Sequence, residues 1–531
     1  MGRFVNPGNE GFRVALNSEV YIDKTELLSY TNRVLDTNQA FICNSRPRRF
    51  GKSITANMLS AYYSRGCDSA ELFEGLKIAG VTGWEQYLNQ FDVIHFDVQW
   101  CLTLLQDASC LVSYMEENII AELKQCYPEI LERKEESLAD ILSVYHELTG
   151  KKIIIIIDEW DAVIREYWQN ERLQEEYINF LRSLFKGTEP TKFIKLAYLT
   201  GILPIKKLKT QSALNNFDEF TMINPGVMAP YIGFLEEEVE QLCIKYEKNF
   251  EEVKKWYDGY LLADFHVYNP KAVVGILMQN EFQSYWSQTG TYDAILPFIT
   301  MDFDGLKSAV IEMLSGNWVE IDPYSYQNDM VSFKDKDDVL TLLVHMGYLA
   351  YHKKYQKVYI PNEEIRNEFI YALKRTKWNE YLELQRLSAK LLDATLELRG
   401  KEVAEIIEEI HNEFASNISY HDENSLSSVL SIGYLSAMQY YFKPVREFPT
   451  GRGFADFILL PKAEYSSEYP AMVIELKWNK NVSAALNQIK EKKYPHSIET
   501  YYGNILLVGI NYDKKTKKHE CIIEEYSRKM I

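Results

Sequence analysis

Long apolar runs are missing from this sequence of 531 residues. A helix needs roughly 18–20 consecutive apolar residues to cross a bilayer, and no run in the chain reaches that length. The N-terminal segment also lacks the apolar core and the small-residue cleavage site of a secretory signal peptide. We therefore expect a cytoplasmic protein that has no membrane partner.

Paired cysteines and metal-binding histidine motifs are missing as well. The seven cysteines are scattered and include no C-x-x-C pair, which argues against a zinc site and a disulfide framework and for a reducing compartment. None of the nine histidines belongs to an H-E-x-x-H motif, and no G-x-S-x-G motif occurs. The sequence thus gives no support to a zinc protease or a serine hydrolase.

Basic residues are too few to balance the acidic ones. The net charge of −18 is unusual for a protein that binds nucleic acid, because such proteins normally present a basic surface. Residues 441–531 nevertheless hold fifteen Lys and Arg against eleven Asp and Glu, so all of the excess acid belongs to the preceding residues. The C-terminal part can therefore still bind a polyanion.

The length predicts two or three domains, and changes of pattern must locate them because no linker rich in Pro, Gly or Ser is visible. Strand-like and helical stretches alternate up to about residue 230, which predicts an α/β domain with a parallel sheet over 1–231. Residues 232–420 are mostly helical and are interpreted as a lid followed by a winged-helix-like element. Strand patterns return after residue 440, so we expect a compact α/β domain over 421–531.

A phosphate-binding loop is predicted where a strand at 40–44 leads through a basic loop into Gly51-Lys52-Ser53. Backbone N–H groups at the start of the following helix would receive the phosphates of ATP. Lys52 would reach the β- and γ-phosphates, and the Ser53 hydroxyl would bind Mg²⁺. Arg46 replaces the first glycine of the usual motif; with Arg48 and Arg49 it would place positive charge near the phosphates, unless these arginines are solvated loop residues.

An acidic partner for this loop follows the isoleucine run 153–157, which ends in Asp158 and Glu159. The carboxyl end of a buried strand is where an α/β sheet places its active site. Asp158 would hold Mg²⁺ through water, and Glu159 would polarise the attacking water. Thr200, at the end of another buried strand, would sense the γ-phosphate. The alternative is a core strand whose acidic residues cap the next helix, with Thr200 as a plain strand end.

Seven short motifs follow one another in order along residues 21–270. They are YIDKTELL at 21–28, RPRRFGKS at 46–53, IDEWD at 157–161, LTGI at 199–202, NNF at 215–217, WYDGY at 256–260 and YNP at 268–270. Through these motifs the sequence resembles the bacterial AAA-ATPase-like family, whose members commonly carry a C-terminal PD-(D/E)XK nuclease domain. The resemblance implies a P-loop NTPase fold in which arginine replaces the first glycine, and AAA-type relatives that form rings suggest a homo-oligomer.

A second set of chemical groups lies near the C-terminus. Asp456 belongs to one strand pattern, and Glu475 and Lys477, two residues apart, share a face of the next. On neighbouring strands they would converge, so that Asp456 and Glu475 bind Mg²⁺ or Mn²⁺ and Lys477 orients the nucleophile or offsets the charge on the phosphorane. The alternative is a structural sheet in which Glu475 and Lys477 form a salt bridge.

The D…E-x-K pattern resembles that of PD-(D/E)XK nucleases and implies a restriction-endonuclease-like fold. By the same resemblance, Gln488 on the following helix is a further catalytic candidate, together with Tyr494. Glu423, at the start of an earlier helix, is the candidate for an extra carboxylate.

The sequence therefore predicts an ATP-binding protein with ATPase activity that is coupled to a metal-dependent nuclease. DNA is the expected substrate rather than RNA. The alternative is a nucleotide-gated module that binds nucleic acid or protein through an inactive nuclease fold. The acidic bulk of the chain and Arg46 favour the alternative, whereas the intact D…E-x-K pattern disfavours it.

Overall fold

Two compact units make up the chain, Met1–Thr289 with Ile321–Ile365, and Gly290–Glu320 with Arg366–Ile531. The predicted boundaries at residues 231 and 420 fall inside the first and the second unit, and the three-part division stays a prediction. The computed structural model describes residues 2–132, 137–205, 214–286, 292–301, 303–328, 330, 332–376, 379–414, 423–442, 444–450, 453–462, 465–492 and 504–526.

A five-stranded parallel sheet forms the centre of the first unit. Its strands are β1 (Phe41–Ser45), β2 (Asp92–Asp97), β3 (Ile153–Asp158), β4 (Ile194–Gly201) and β5 (Asp218–Phe220), in the spatial order β2-β3-β4-β1-β5. The strands β1 and β3 are buried along their whole length, as expected for a parallel sheet covered on both faces. The strand patterns of the sequence at 40–44, 92–98, 152–158 and 193–200 predicted β1 to β4 within about one residue.

Helices connect and cover these strands. The helix α9, for example, buries Leu173, Tyr177, Leu181 and Leu184 at helical spacing, and this apolar stripe faces the core. The helices are α1 (Glu10–Leu16), α2 (Leu27–Val34), α3 (Lys52–Tyr63), α4 (Ala70–Phe73), α5 (Val98–Thr103), α6 (Leu111–Cys126), α7 (Leu138–Thr149), α8 (Ala162–Glu166), α9 (Glu171–Phe185) and α10 (Pro190–Phe193).

The middle of the chain is mostly helical and contributes to both units. The first unit continues with a small antiparallel sheet of order β6-β8-β7 and ends with a hairpin of β10 and β11. The elements are β6 (Phe234–Leu235), α11 (Glu236–Lys245), α12 (Phe250–Tyr257), β7 (Tyr260–Leu262), β8 (Phe265–Tyr268), α13 (Pro270–Gln279), α14 (Tyr292–Ile299), α15 (Leu306–Leu314), β9 (Val319–Glu320), α16 (Lys336–Met346), β10 (Ala350–His352), β11 (Lys357–Tyr359), α17 (Glu363–Thr376), α18 (Asn379–Leu396), α19 (Gly400–Phe414) and α20 (Glu423–Gly433).

The second unit contains a mixed five-stranded sheet. Its strands are β12 (Val445–Thr450), β13 (Gly453–Leu459), β14 (Ala471–Trp478), β15 (Ile505–Asp513) and β16 (Lys518–Glu525). They lie in sequence order, and only the pair of β14 and β15 is parallel. The helix α21 (Val482–Glu491) makes the crossover between these two strands and packs against both.

The predicted mixed α/β architecture is confirmed, with a parallel sheet in the N-terminal part and a C-terminal mixed sheet that fits the expected nuclease-like domain. In the part of the chain that the structure describes, no helix is both long and apolar enough to cross a bilayer.

A buried histidine in the C-terminal sheet predicts sensitivity to acid. Burial, and next the neighbouring His411, lower the pKa of His519 to about 3. Because an unfolded histidine titrates near pH 6.5, the unfolded state binds more protons between about pH 6.5 and pH 3. Stability should therefore fall as the pH falls through this window, by about 1 kcal/mol per pH unit.

The test compares the thermal midpoints of the wild type and His519→Leu at pH 7 and pH 5, with His146→Leu as the control in the other unit. The His519→Leu variant should lose less stability on acidification than the wild type and the control. Equal losses in all three proteins would contradict the account.

Candidate functional sites

The carboxyl ends of the parallel strands bring the predicted nucleotide-binding residues to one edge of the first sheet. The strand β4 lies between β1 and β3, so Thr200 sits between the phosphate-binding loop and Asp158. Asp97, at the end of β2, is the register partner of Asp158. Sequence reasoning did not single out Asp97, although it ends a recognised strand pattern.

The loop between β1 and α3 has the geometry of a phosphate cradle. Gly51 precedes α3 with φ of 91°, a conformation that L-residues with a side chain rarely adopt. The side chain of Lys52 is buried; its Nζ donates to the Pro47 carbonyl at 3.1 Å and lies 3.6 Å from Glu159 Oε1. The loop therefore places the buried Lys52 side chain beside the N–H groups of a helix start, as an anion site requires.

Ser53 and Asp158 form the pair that could hold a divalent cation. Asp158 is buried, and burial raises its pKa to about 7, while a hydrogen bond from the exposed Ser53 acts in the opposite direction. The nearby carboxylates of Glu159 and Asp97 raise the pKa further. Clustered carboxylates whose charge the protein compensates only in part fit a Mg²⁺ ion with its hard oxygen ligands.

Glu159 is held from two sides. Its Oε2 accepts from Arg165 Nη2 at 2.5 Å, while its Oε1 faces Lys52. Arg165 is in turn paired with the fully buried Asp161, which accepts the backbone N–H groups of Ile202 and Leu203. The backbone at Glu159 has φ of 51°, so side-chain contacts and a strained turn together fix its carboxylate. Arg165 is a residue that sequence reasoning missed.

Thr200 and Arg46 differ in how well their positions suit their predicted roles. The Thr200 hydroxyl is buried and has no hydrogen-bond partner among the described residues, which suits a sensor of a bound phosphate. Arg46 is fully buried instead, and its guanidinium donates to the carbonyls of Ser45, Phe220 and Met228. Burial lowers its pKa to about 10, so it remains charged at neutral pH while tying the loop to β5.

A cavity of about 1030 Å³ opens beside the loop, within the first unit. Its lining includes the polar and charged residues Lys52, Ser53 and Glu159. Apolar side chains of the N-terminal segment, the start of β6 and the helix α13 also line it. This combination suits a ligand with a flat apolar part and a phosphate tail. The apolar lining includes Val20, Tyr21, Ile22, Phe234, Val274 and Met278.

The second candidate site lies where β13 and β14 part. Their ladder runs to Phe457 opposite Ile474, and one residue further Asp456 Oδ2 accepts the backbone N–H of Leu476 at 2.8 Å. Lys477 Nζ donates to Glu475 Oε1 at 2.8 Å and to the Leu476 carbonyl at 2.9 Å. The structure thus brings Asp456, Glu475 and Lys477 together as predicted.

The electrostatics of this site leave a carboxylate poorly compensated. Glu475 is fully buried, and its Oε2 has no hydrogen-bond partner among the described residues. Burial, and next the charge of Asp456, raise its pKa to about 7, although Lys477 and Lys492 oppose the rise. A buried oxygen without a donor, beside a second carboxylate, fits a divalent cation. The salt bridge between Glu475 and Lys477 is also what the alternative, a purely structural sheet, predicted.

The helix α21 covers the same face of the sheet. An added Cβ at Gly509, the register partner of Glu475, would come within 3.1 Å of Ala485 Cβ, so glycine permits the close approach of α21. Gln488 is half-buried on this helix. Lys492, one turn later, acts on the pKa of Glu475 and was missed by the sequence analysis. Tyr494 lies outside the described residues, and so does the side chain of Glu423.

Comparison with known proteins agrees with the two predicted kinds of domain. Residues 11–210 match the family model described as "Predicted AAA-ATPase", and residues 421–521 match the model of the PD-(D/E)XK nuclease superfamily, which confirms the resemblance. A curated relative from Azotobacter chroococcum mcd 1, described as an uncharacterized protein in the vnfD 5' region, is 24% identical over 289 residues. The match covers 53% of this chain and 52% of the relative, so the chain spans about half the length of that relative.

The contacts of Arg46 predict a loss of stability on its removal. The Arg46→Ala variant removes the hydrogen bonds of the buried guanidinium to three backbone carbonyls, which should cost about 2–4 kcal/mol of unfolding free energy. The affinity for ATP, measured by titration well below the melting temperature, should change less than about threefold. The exposed Arg48 supplies the matched control Arg48→Ala, which should leave the melting temperature unchanged. A stable Arg46→Ala protein that no longer binds ATP would show that Arg46 acts on the phosphates.

Arg165 is expected to position Glu159. The Arg165→Gln variant should lower the kcat of ATP hydrolysis roughly 10- to 100-fold with little change in KM, because the Glu159 carboxylate loses its orientation. Arg165→Lys should restore part of the rate. A purely structural role would instead lower the melting temperature and leave the kcat of the folded fraction unchanged.

Proposed function

We propose that this chain, in which an AAA-ATPase-like domain precedes a PD-(D/E)XK nuclease superfamily domain, is an ATP-controlled nuclease that hydrolyses phosphodiester bonds in DNA. In this proposal ATP and Mg²⁺ bind at the first sheet, and Mg²⁺ or Mn²⁺ binds at the second. The cytoplasmic location and a homo-oligomeric state belong to the proposal as well.

The convergence of Asp456, Glu475 and Lys477 carries this proposal. Two acidic side chains and one basic side chain meet where two antiparallel strands separate, and Glu475 and Lys477 are almost completely buried. Burying ionised groups costs several kcal/mol for each ion unless something compensates the charge. A sheet that served only as scaffold would gain nothing from the orphaned Glu475 Oε2, whereas a site for a cation and a phosphodiester needs it.

The residues divide the chemistry of DNA hydrolysis among them. A divalent cation held by Asp456 and Glu475 would supply Lewis acidity and lower the pKa of a bound water. Lys477 compensates the buried Glu475 in the free protein, and its ammonium would turn to the phosphodiester when a cation takes over that compensation. Lys477 then offsets the negative charge that develops on the phosphorane. Gln488 on α21 would help to orient the substrate.

The residues of the nucleotide site have separate tasks. Lys52 and the N–H groups at the start of α3 would bind the β- and γ-phosphates, and Ser53 and Asp158 would hold Mg²⁺. Lys52 would turn from Glu159 towards a bound γ-phosphate, which would loosen its contact with Glu159 at 3.6 Å. Glu159 then remains oriented by Arg165 and accepts a proton from the attacking water.

The distribution of charge supports nucleic acid as the substrate of the C-terminal site. The acidic remainder of the chain would repel a polyanion, while residues 441–531 carry an excess of basic residues. Electrostatic steering would therefore favour encounters through the C-terminal part. The same part of the chain contains the three residues that we propose to cut a phosphodiester backbone.

Substitution of Lys477 separates binding from cleavage. The Lys477→Ala variant should lose at least about 100-fold in DNA cleavage, because the charge on the phosphorane is no longer offset. Binding of ATP, measured by titration with a fluorescent analogue, should survive unchanged. Cleavage by labelled-DNA assay should also survive in Lys480→Ala, which removes an exposed lysine three residues away and serves as the matched control.

A Lys477→Ala protein that still cuts at the wild-type rate would contradict the nuclease proposal. A wild-type protein that takes up Mn²⁺ and binds DNA without cutting it would instead support the alternative, a nucleotide-gated binding module with an inactive nuclease fold.

A further inference from the structure

The turn between β15 and β16 is rich in lysine. Residues 513–518, here called the lysine turn, contain one aspartate, one threonine and four lysines. All four lysine side chains, Lys514, Lys515, Lys517 and Lys518, are exposed. None of the residues proposed for catalysis belongs to this turn.

The register of the sheet places the lysine turn beside the nuclease site. Lys477 in β14 pairs with Asn511 in the parallel strand β15, so the turn begins two residues beyond the level of Lys477. With a rise of about 3.3 Å per residue, Lys514 and Lys515 lie roughly 10–13 Å further along the sheet. Asp456 flanks β14 on the opposite side, in β13. The turn therefore extends the line of charged groups that runs from Asp456 through Glu475 and Lys477.

Hydrogen bonds fix the turn to the end of the catalytic strand. Asn479, which directly follows β14, donates its backbone N–H to the Tyr512 carbonyl at 2.8 Å and accepts from the Lys514 N–H at 2.7 Å. Asp513 accepts the N–H groups of Lys515 and Thr516. Because its ends are tied in this way, the backbone of the turn keeps a constant distance from Lys477.

Salt bridges among the residues that the structure describes do not neutralise the charge of the turn. Within the described residues, no salt bridge joins any of its four lysines to a carboxylate. With Asp513 included, these six residues carry a net charge of +3, which is most of the surplus of basic residues in 441–531. Any attraction of this part of the chain for a polyanion therefore depends largely on the lysine turn.

We propose that the lysine turn binds the sugar-phosphate backbone of the nucleic acid next to the phosphodiester that Lys477 faces. This inference rests on the proposed nuclease function and adds the surface that holds the substrate. A span of about 10 Å covers about three phosphates along one strand of a duplex, so the lysines meet phosphates that flank the cut. Contacts of this kind set the register of the DNA and do not read its sequence.

The experiment compares two variants in a background that binds DNA without cutting it. The background is Glu475→Gln in the full-length protein, with Mg²⁺ present. The turn variant carries Lys514→Ser, Lys515→Ser, Lys517→Asn and Lys518→Thr; asparagine is chosen because Lys517 has φ of 57°, which asparagine tolerates well. The control carries Lys390→Ser and Lys401→Ser, which remove exposed lysines of α18 and α19 in the same unit.

The readout is the affinity for labelled DNA, by fluorescence anisotropy, as a function of salt concentration. Each lost phosphate contact reduces the magnitude of the slope of log K against log salt by about 0.9. The slope of the turn variant should therefore be smaller in magnitude by roughly 2–4, and its affinity at low salt should be at least about tenfold lower. Two DNA sequences should be affected equally. The control should match the background, and ATP hydrolysis and melting temperature should be unchanged in all three proteins.

Three outcomes are distinguishable. The reduced slope supports the proposal. An unchanged slope in the turn variant, beside cleavage by the wild type, overturns the role of the lysine turn and leaves the nuclease function standing; a partner other than nucleic acid would then use the turn. A background protein that binds no DNA, together with a wild type that cuts none, overturns both.

Discussion

Buried carboxylates at the ends of apolar strands are the constraint on which both sites depend. Asp158 ends β3 and Glu475 lies near the end of β14, and burial raises the pKa of each to about 7. Buried charge is costly unless it is compensated. A lysine supplies part of the compensation in each sheet: Lys52 faces Glu159, and Lys477 binds Glu475. The remaining imbalance makes each sheet edge receptive to a cation and a phosphate.

The carboxylates at the two sheet edges are held in place by different kinds of contact. At the proposed nucleotide site, a network through Arg165 and Asp161 holds the carboxylate of Glu159, the proposed general base. At the proposed nuclease site, the backbone itself takes part, because Asp456 accepts the Leu476 N–H where the ladder opens. Both supports fix side chains before a ligand arrives, and preorganised groups of this kind contribute most to the stabilisation of a charged transition state.

Sequence patterns predicted the strands and the residues at their ends, because a buried parallel strand needs an apolar run and its carboxyl end carries the chemistry. Asp158 was predicted in this way, whereas Glu475 and Lys477 were predicted from their shared face of one strand and from the D…E-x-K pattern. Contacts between elements distant in the chain could not be read from such patterns. The direction of the Arg46 side chain depends on carbonyls of Phe220 and Met228, and the role of Arg165 depends on the bend at Glu159. The position of the lysine turn beside Lys477 follows only from the register of β14 and β15.

Control of DNA cleavage by ATP is the central claim, and one measurement tests it most directly. Labelled single- and double-stranded DNA is incubated with the wild-type protein and Mg²⁺ or Mn²⁺, with and without ATP, and the cleavage rates are compared with those of Lys52→Ala. The account predicts metal-dependent cleavage whose rate changes on addition of ATP in the wild type and does not change in the variant. Cleavage at the same rate with and without ATP in the wild type, or no cleavage of any substrate while ATP is bound, would contradict it.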